Sequence, residues 1–257
     1  MPTDLPVPSA GGGPRVVLAT RNDHKVLELS RILGGTGADV TLVGLDSFPG
    51  MPEVAETGLT FADNALLKAR AVAAYTGLPA VADDSGLCVD ALHGMPGIFS
   101  ARWSGSHGDD AGNLALLLGQ LADVSEQGAQ FVCAAALVLP DGPAEASTST
   151  RQPRMAQGPA LFAGSPGEGV QGGLPLGRGG LGGSSPRRAE WTVTGVLSGE
   201  LTRAPRGAGG FGYDPIFVAT GASVTNAELT PEEKDEISHR GRALRALAPV
   251  IAERVAR

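Results

Sequence analysis

The segment ADDSGL (82–87) sets two carboxylates, Asp83 and Asp84, side by side after an apolar run, with Ser85 next and Glu56 upstream in ETG. Adjacent carboxylates repel and are costly to desolvate, so a fold that brings them near its core must neutralise them. Clustered carboxylates after a strand supply hard oxygen ligands, and Mg2+ commonly takes one or two of them together with phosphate oxygens. One carboxylate can also accept a proton from an attacking water, its pKa tuned by its neighbour and the metal. The competing reading is a turn bearing two hydrated aspartates.

Four other stretches carry groups suited to a polyanionic, planar ligand. In TRNDHK, Thr20, Asn22 and Lys25 sit in a polar turn before a helix, where backbone N–H groups and the positive dipole end favour phosphate; alternatively Thr20 and Asn22 only cap the helix and Lys25 is solvated. Lys68 lies seven residues after Phe61 on a helical pattern, where a snorkelling lysine is the plain alternative. GGFGYDP (209–215) combines glycines that allow close backbone approach with Phe211 and Tyr213, in a chain with only 4% aromatic residues. Phe211 could stack on a base and Asp214 accept hydrogen bonds, or both rings could serve the core behind a tight turn. In EEKDEISHRGRAL, Lys234, His239 and Arg240 gather three donors ahead of a helix, either for a keto oxygen and ring nitrogen or as ordinary charge patterning. The chain uses arginine 17 times and lysine three times, at Lys25, Lys68 and Lys234. Such a bias points to the lysines as places where a compact ammonium is wanted.

The elements that must position these groups follow from periodicity. RVVLA (15–19) reads as a strand, and Val26, Leu27, Leu29, Ile32 and Leu33 recur at helical spacing after an Asn22 or Asp23 cap. Residues 41–59 read as loop-rich, with Pro49, Pro52 and Gly58. A long helix follows from a Thr60 cap, with Asp63 as an imperfect capping box, to a Gly77 stop. A strand through 80–82, a turn over 83–86 and a short strand over 87–89 come next, then a Leu-rich helix near 110–122. QFVCAAALVLP (130–140) and EWTVTGVLSGEL (190–201) read as an antiparallel pair, and a last helix runs from about 242 to 255. Together these predict an α/β fold with a mixed sheet flanked by helices.

At 257 residues the chain is long enough to bury a real core. Residues 1–14 read as a flexible tail, and the Gly/Pro/Ser-rich residues 141–189 as a disordered insertion at a hairpin tip in a single domain spanning 15–257. A net charge of −7 argues against nucleic acid or anionic membrane as partner. No apolar stretch is long enough to span a membrane, and two cysteines in apolar runs suit a reducing, cytoplasmic setting.

Taken in order, TRNDHK, ETGLTFADNALLKA, ADDSGL, GMPGIFSARWSG, PRGAGGFGYDPIF and EKDEISHRGRAL resemble the inosine triphosphate pyrophosphatase family, the XTP/dITP diphosphohydrolases. The resemblance covers 15–139 and 190 to about 252. It implies hydrolysis of the deaminated purine nucleoside triphosphates ITP, dITP and XTP to monophosphate and pyrophosphate, which keeps them out of DNA and RNA. It further implies Mg2+ as cofactor, an elongated structure of two lobes around a central nucleotide cleft, and a homodimer. By position, Asp84 resembles the catalytic base and metal contact, with Glu56 and Asp83 as acidic partners. Thr20, Arg21, Asn22, Asp23, His24, Lys25, Lys68 and Ser85 resemble phosphate and sugar contacts. Phe211, Gly212, Tyr213, Asp214, Lys234, His239 and Arg240 resemble the base pocket, in which donors such as Arg240 or His239 would meet a 6-keto oxygen. The long insertion, the extra tail and Asp63 in place of the common Glu depart from the family pattern.

Overall fold

The computed structural model describes residues 13–37, 39–140 and 189–255, without the side chains of Asp23 and His24. The expected tail and insertion lie outside these residues, save for their inner edges. The chain on the two sides of 141–187 forms one unit by its contacts.

The strands are β1 (Arg15–Leu18), β2 (Thr41–Gly44), β3 (Ala80–Val89), β4 (Gly128–Val138), β5 (Glu190–Leu201) and β6 (Phe217–Ala219). The helices are α1 (Asp23–Gly34), α2 (Phe61–Thr76), α3 (Asp110–Gln120), α4 (Pro231–Ile237) and α5 (His239–Val255). Among the described residues the strands make one mixed sheet in the order β2-β1-β3-β4-β5-β6. β1 pairs parallel with β2 and β3, and every later pairing is antiparallel. The parallel half comes from strand–helix–strand connections, which need a crossover, and the antiparallel half from β4 and β5.

One sheet face carries α1 and α5, with Leu29 and Leu33 beside Leu244, Leu247 and Ile251 over Val81 and Leu137. The other carries α2, whose Ala65, Ala69 and Val72 pack on Ala80, Ala82 and Ala136. Leu87, Phe131, Leu197 and Phe217 build a third cluster with Leu117 of α3. No helix among the described residues is long and apolar enough to cross a membrane.

The caps follow the sequence. The Asn22 side chain accepts from the Lys25 amide, the Thr60 side chain accepts from the Asp63 amide, and Gly77 ends α2 in the left-handed region at φ 66°. Two expectations are corrected. Asp83–Gly86 is no turn, because β3 runs unbroken through it and pairs with β4 from Ala80 to Val89. The loop-rich 41–59 stretch also holds β2, a strand the sequence reading did not name, which its pairing with β1 defines. α5 begins three residues earlier than expected, at His239, and α4 precedes it. The signal for α4 was present: Thr230 and Glu233 form a capping box with Pro231 in the first turn.

Candidate active site

The adjacent aspartates lie in the middle of β3, where successive side chains point to opposite faces of the sheet. That alternation separates the two charges. Opposite them on β4 stand Ala135 and Ala134, small enough to leave room for the carboxylates and their partners.

Asp84 faces α2. Its Oδ2 accepts from Asn64 Nδ2 at 3.0 Å, its Oδ1 from the Ser85 amide at 3.0 Å, and Lys68 Nζ stands 3.7 Å away. Asn64 and Lys68 are four apart on α2 and so share one helix face. Lys68 also donates to Glu56 at 2.6 Å, and Arg102 approaches the other Glu56 oxygen at 3.7 Å. Burial pushes the Asp84 pKa up and the negative Glu56 adds to this, outweighing the Lys68 ammonium and the Asn64 hydrogen bond. Glu56 moves the other way: burial opposes its charge, but the Lys68 charge and hydrogen bond hold it below the usual carboxylate range. The two carboxylates therefore differ in basicity because of where each sits.

Asp83 faces α1 and α5 and is sealed. Its Oδ2 accepts from Lys25 Nζ and from Arg240 Nε, both at 3.1 Å. Burial would raise its pKa, yet the Lys25, Arg240 and Lys68 charges hold it far below the carboxylate range. Arg240 is 1% exposed and donates as well to Glu28 and, at 2.8 Å, to Ser85 Oγ. The cations that neutralise Asp83 are thus the protein's own. The expected metal role for Asp83 does not fit this enclosure. Arg240 engages each of its three nitrogens with the protein through one bond apiece, and as a cleft-lining residue it keeps its remaining N–H groups. Glu28, buried and three residues after Lys25 on α1, was missed by the sequence reading, as was Asn64. Helical spacing from Lys25 and Lys68 was the available signal for both.

At the other end, Gly210 and Gly212 take φ of 70° and 61°, a conformation that favours glycine, and let the 209–215 loop fold onto Asp214. The buried Asp214 carboxylate accepts from the Phe211 amide at 2.9 Å, Lys234 Nζ at 2.7 Å and Asn226 Nδ2 at 3.3 Å. The Phe211 ring lies 4.8 Å from Lys234 Nζ and 5.7 Å from the Arg240 guanidinium. Tyr213 turns inward, its hydroxyl donating to the Ser100 carbonyl at 2.9 Å, so the core alternative holds for this ring. His239 stacks on Phe131 at 4.8 Å. Burial, followed by the Arg240 and Lys234 charges, holds its pKa well below 6.5, and its Nδ1 finds no partner among the described residues. It is a neutral imidazole at neutral pH.

These groups meet in a cleft of about 960 Å³. Its lining includes Thr20, Arg21, Asn22, Lys25, Glu56, Lys68, Asp84, Ser85, Phe211, Gly212, Tyr213, Asp214, Lys234, His239 and Arg240. Of the residues expected at the site, Asp83 lies behind this lining, and the side chains of Asp23 and His24 are outside the described set. A second cavity, of about 630 Å³, lies between α1, α4 and α5 and holds none of the expected residues. Among the described residues no three His, Cys, Asp or Glu side chains converge as a metal group. The larger cleft has a carboxylate–ammonium end around Asp84 and an aromatic end around Phe211. This is the arrangement a ligand with a polyanionic tail and a planar head requires.

A family model described as the Ham1 family matches residues 16–160 and 182–250. A dITP/XTP pyrophosphatase of Streptomyces coelicolor is 50% identical over 241 residues, 93% of this chain and 98% of the relative. One from Mycobacteroides abscessus is 46% identical over 240 residues, 92% and 94% of the two chains. The solved structure of a HAM1 protein from Coxiella burnetii superposes with a TM-score of 0.69 at 35% identity, covering 93% of this chain and 99% of that one. A nucleoside-triphosphatase, dITP/XTP pyrophosphatase, structure from Mycobacterium abscessus gives 0.61 at 46% identity, covering 91% and 99%.

Proposed function

This chain belongs to the Ham1 family, and from that premise we propose that its cleft hydrolyses the deaminated purine nucleoside triphosphates ITP, dITP and XTP to monophosphate and pyrophosphate. In the cell this would keep those nucleotides out of DNA and RNA. The observation that carries the reading is Asp84, a buried carboxylate of raised pKa, aimed into a cleft between lysine-bearing walls. A raised pKa makes a carboxylate a better proton acceptor.

In this reading the triphosphate lies along Lys25, Lys68 and the turn at Thr20–Asn22, and the base lies toward Phe211. Asp84 takes the proton of a water whose oxygen bonds to the α-phosphorus. The bond from that phosphorus to its bridging oxygen breaks, and pyrophosphate leaves against the Lys68 charge. Mg2+ belongs to the proposal. Asp84 and Glu56 suit it as hard oxygen donors, and the repulsion between them, which adds to burial in raising Asp84, is what a divalent cation relieves. When bound, it would neutralise phosphate charge and polarise the reacting centre. Base selection would rest on donors at the Phe211 end of the cleft, His239 among its lining residues, which meet a 6-keto oxygen and oppose a 6-amino group. A homodimer, a cytoplasmic setting and the lack of nucleic-acid or membrane partners complete the reading, supported by the family resemblance and the acidic charge.

Product analysis of the purified protein with Mg2+ and ITP, beside matched ATP and GTP, tests it. IMP and pyrophosphate from ITP, with ATP spared and activity lost on chelation, is the expected result. Release of orthophosphate would make the protein a phosphomonoesterase instead, and bound nucleotide without turnover would make it a sensor. Size-exclusion chromatography with light scattering tests the dimer.

A further inference from the structure

In this cleft, Lys25 is paired to Asp83 at 3.1 Å, Lys68 to Glu56 at 2.6 Å and Lys234 to Asp214 at 2.7 Å. Arg240 is shared between Asp83 and Glu28. Each of these charges is already matched at hydrogen-bonding distance by a carboxylate of the protein. A nucleoside triphosphate brings several more negative charges, so it calls for a cation that is not yet spent.

Arg102 is such a cation. Its guanidinium lines the cleft and stands 3.7 Å from Glu56, too far for a hydrogen bond, and among the described residues it donates none. Its side chain is 30% exposed, against 14% for Lys68 and 1% for Arg240. The backbone beneath it is nonetheless fixed. Ser100 Oγ accepts from the Leu87 amide and donates to the Gly97 carbonyl, and the Ser100 carbonyl accepts from Tyr213. The carbonyls of Ala101 and Arg102 accept from Gly108 and Gly105. The Phe99 ring lies 5.2 Å from the guanidinium carbon. A planar fork with open donors, on a held backbone beside Lys68, is matched to phosphate oxygens.

We propose that Arg102 binds the two outer phosphates, those that leave as pyrophosphate, by exchanging its loose contact with Glu56 for paired hydrogen bonds to phosphate oxygens. This rests on the pyrophosphatase reading above. Its contact with Glu56, the partner of Lys68, makes it a contact of the tail and not of the nucleoside. Glu56 keeps its Lys68 bond when Arg102 leaves and gains an oxygen for other work.

The test compares wild-type, Arg102→Gln and Arg102→Lys proteins by calorimetry with Mg2+-pyrophosphate and, separately, with IMP, beside ITP kinetics and thermal melts. Arg102→Gln should weaken pyrophosphate roughly 10-fold or more and raise the KM for ITP, with IMP affinity and melting temperature held. Arg102→Lys, which keeps the charge but loses the fork, should fall between. Unchanged pyrophosphate affinity in Arg102→Gln overturns the inference, and so does an equal loss for IMP and pyrophosphate, which would mark a general structural role. Failure of the wild-type protein to release pyrophosphate from ITP would instead sink the functional reading, and the two failures are read from different arms.

Discussion

Strand alternation gives Asp83 and Asp84 opposite environments, and each substitution there should report on its own. Asp84→Asn keeps the shape and removes the proton acceptor, so turnover of ITP should fall roughly 10²- to 10⁴-fold while nucleotide binding persists. Unchanged turnover would remove Asp84 from the chemistry. Because burial opposes the Asp84 charge, this variant should melt no lower than wild type. Asp83→Asn leaves Lys25 and Arg240 facing each other without their shared anion, and should cost about 3–5 kcal/mol in chemical denaturation. His239 adds a pH dependence. Its folded pKa is depressed while its unfolded value stays near 6.5, so protonation favours the unfolded chain. The stability it confers is intact above about pH 6.5 and drains away as pH falls below it. His239→Gln should therefore lose less melting temperature than wild type between about pH 7.5 and about pH 5.5; equal losses would show a histidine that titrates freely in the fold. The residue types at the site were legible in the sequence, but the division of labour between the aspartates was not. It depends on which helix covers which face of β3.

Helix α5 delivers His239 and Arg240 because it lies hard against β5, and a missing side chain permits this. A β-carbon at Gly195 would collide with the His239 carbonyl and come within 2.6 Å of the Ala243 amide nitrogen. Gly195→Ala should cost about 1–3 kcal/mol through this overpacking and displace the base end of the cleft. In α3, a β-carbon at Gly119 would meet nothing within 4 Å, so Gly119→Ala should stabilise by about 0.5–1 kcal/mol. Denaturant midpoints for the two variants check both signs, and a neutral Gly195→Ala would refute the close approach. The element scale also shows where local reading stops. α1 and α2 announce themselves through Asn22, Thr60 and Gly77, since caps are made within a few residues. The stretch from Asp83 to Gly86 reads as a turn by composition, yet pairing with β4 and buried countercharges hold it extended.

Across the whole molecule, β4 and β5 remain in register up to Val138 and Glu190, and the Leu139 amide donates to the Ala189 carbonyl at 3.0 Å. The two strands are therefore joined by their own ladder whatever the connection between them. Replacing 141–188 by a four-residue turn should leave the melting temperature and the kcat/KM for ITP near wild type. A large loss in either would show that the segment serves the catalytic unit. The sequence by itself determined the alternation of strands and helices, the capped helix starts, the β4–β5 pair and fifteen of the residues that line the cleft, because each rests on local spacing or on an ordered set of motifs. Tertiary structure alone decided that Asp83 is neutralised by Lys25 and Arg240, that Asp84 faces the cleft beside Lys68, that Tyr213 turns inward, and that Glu28 and Asn64 join the network. Those outcomes are set by groups up to 212 residues apart, as in the Arg240–Glu28 pair, and electrostatics between such groups is fixed only when packing sets the distance between them.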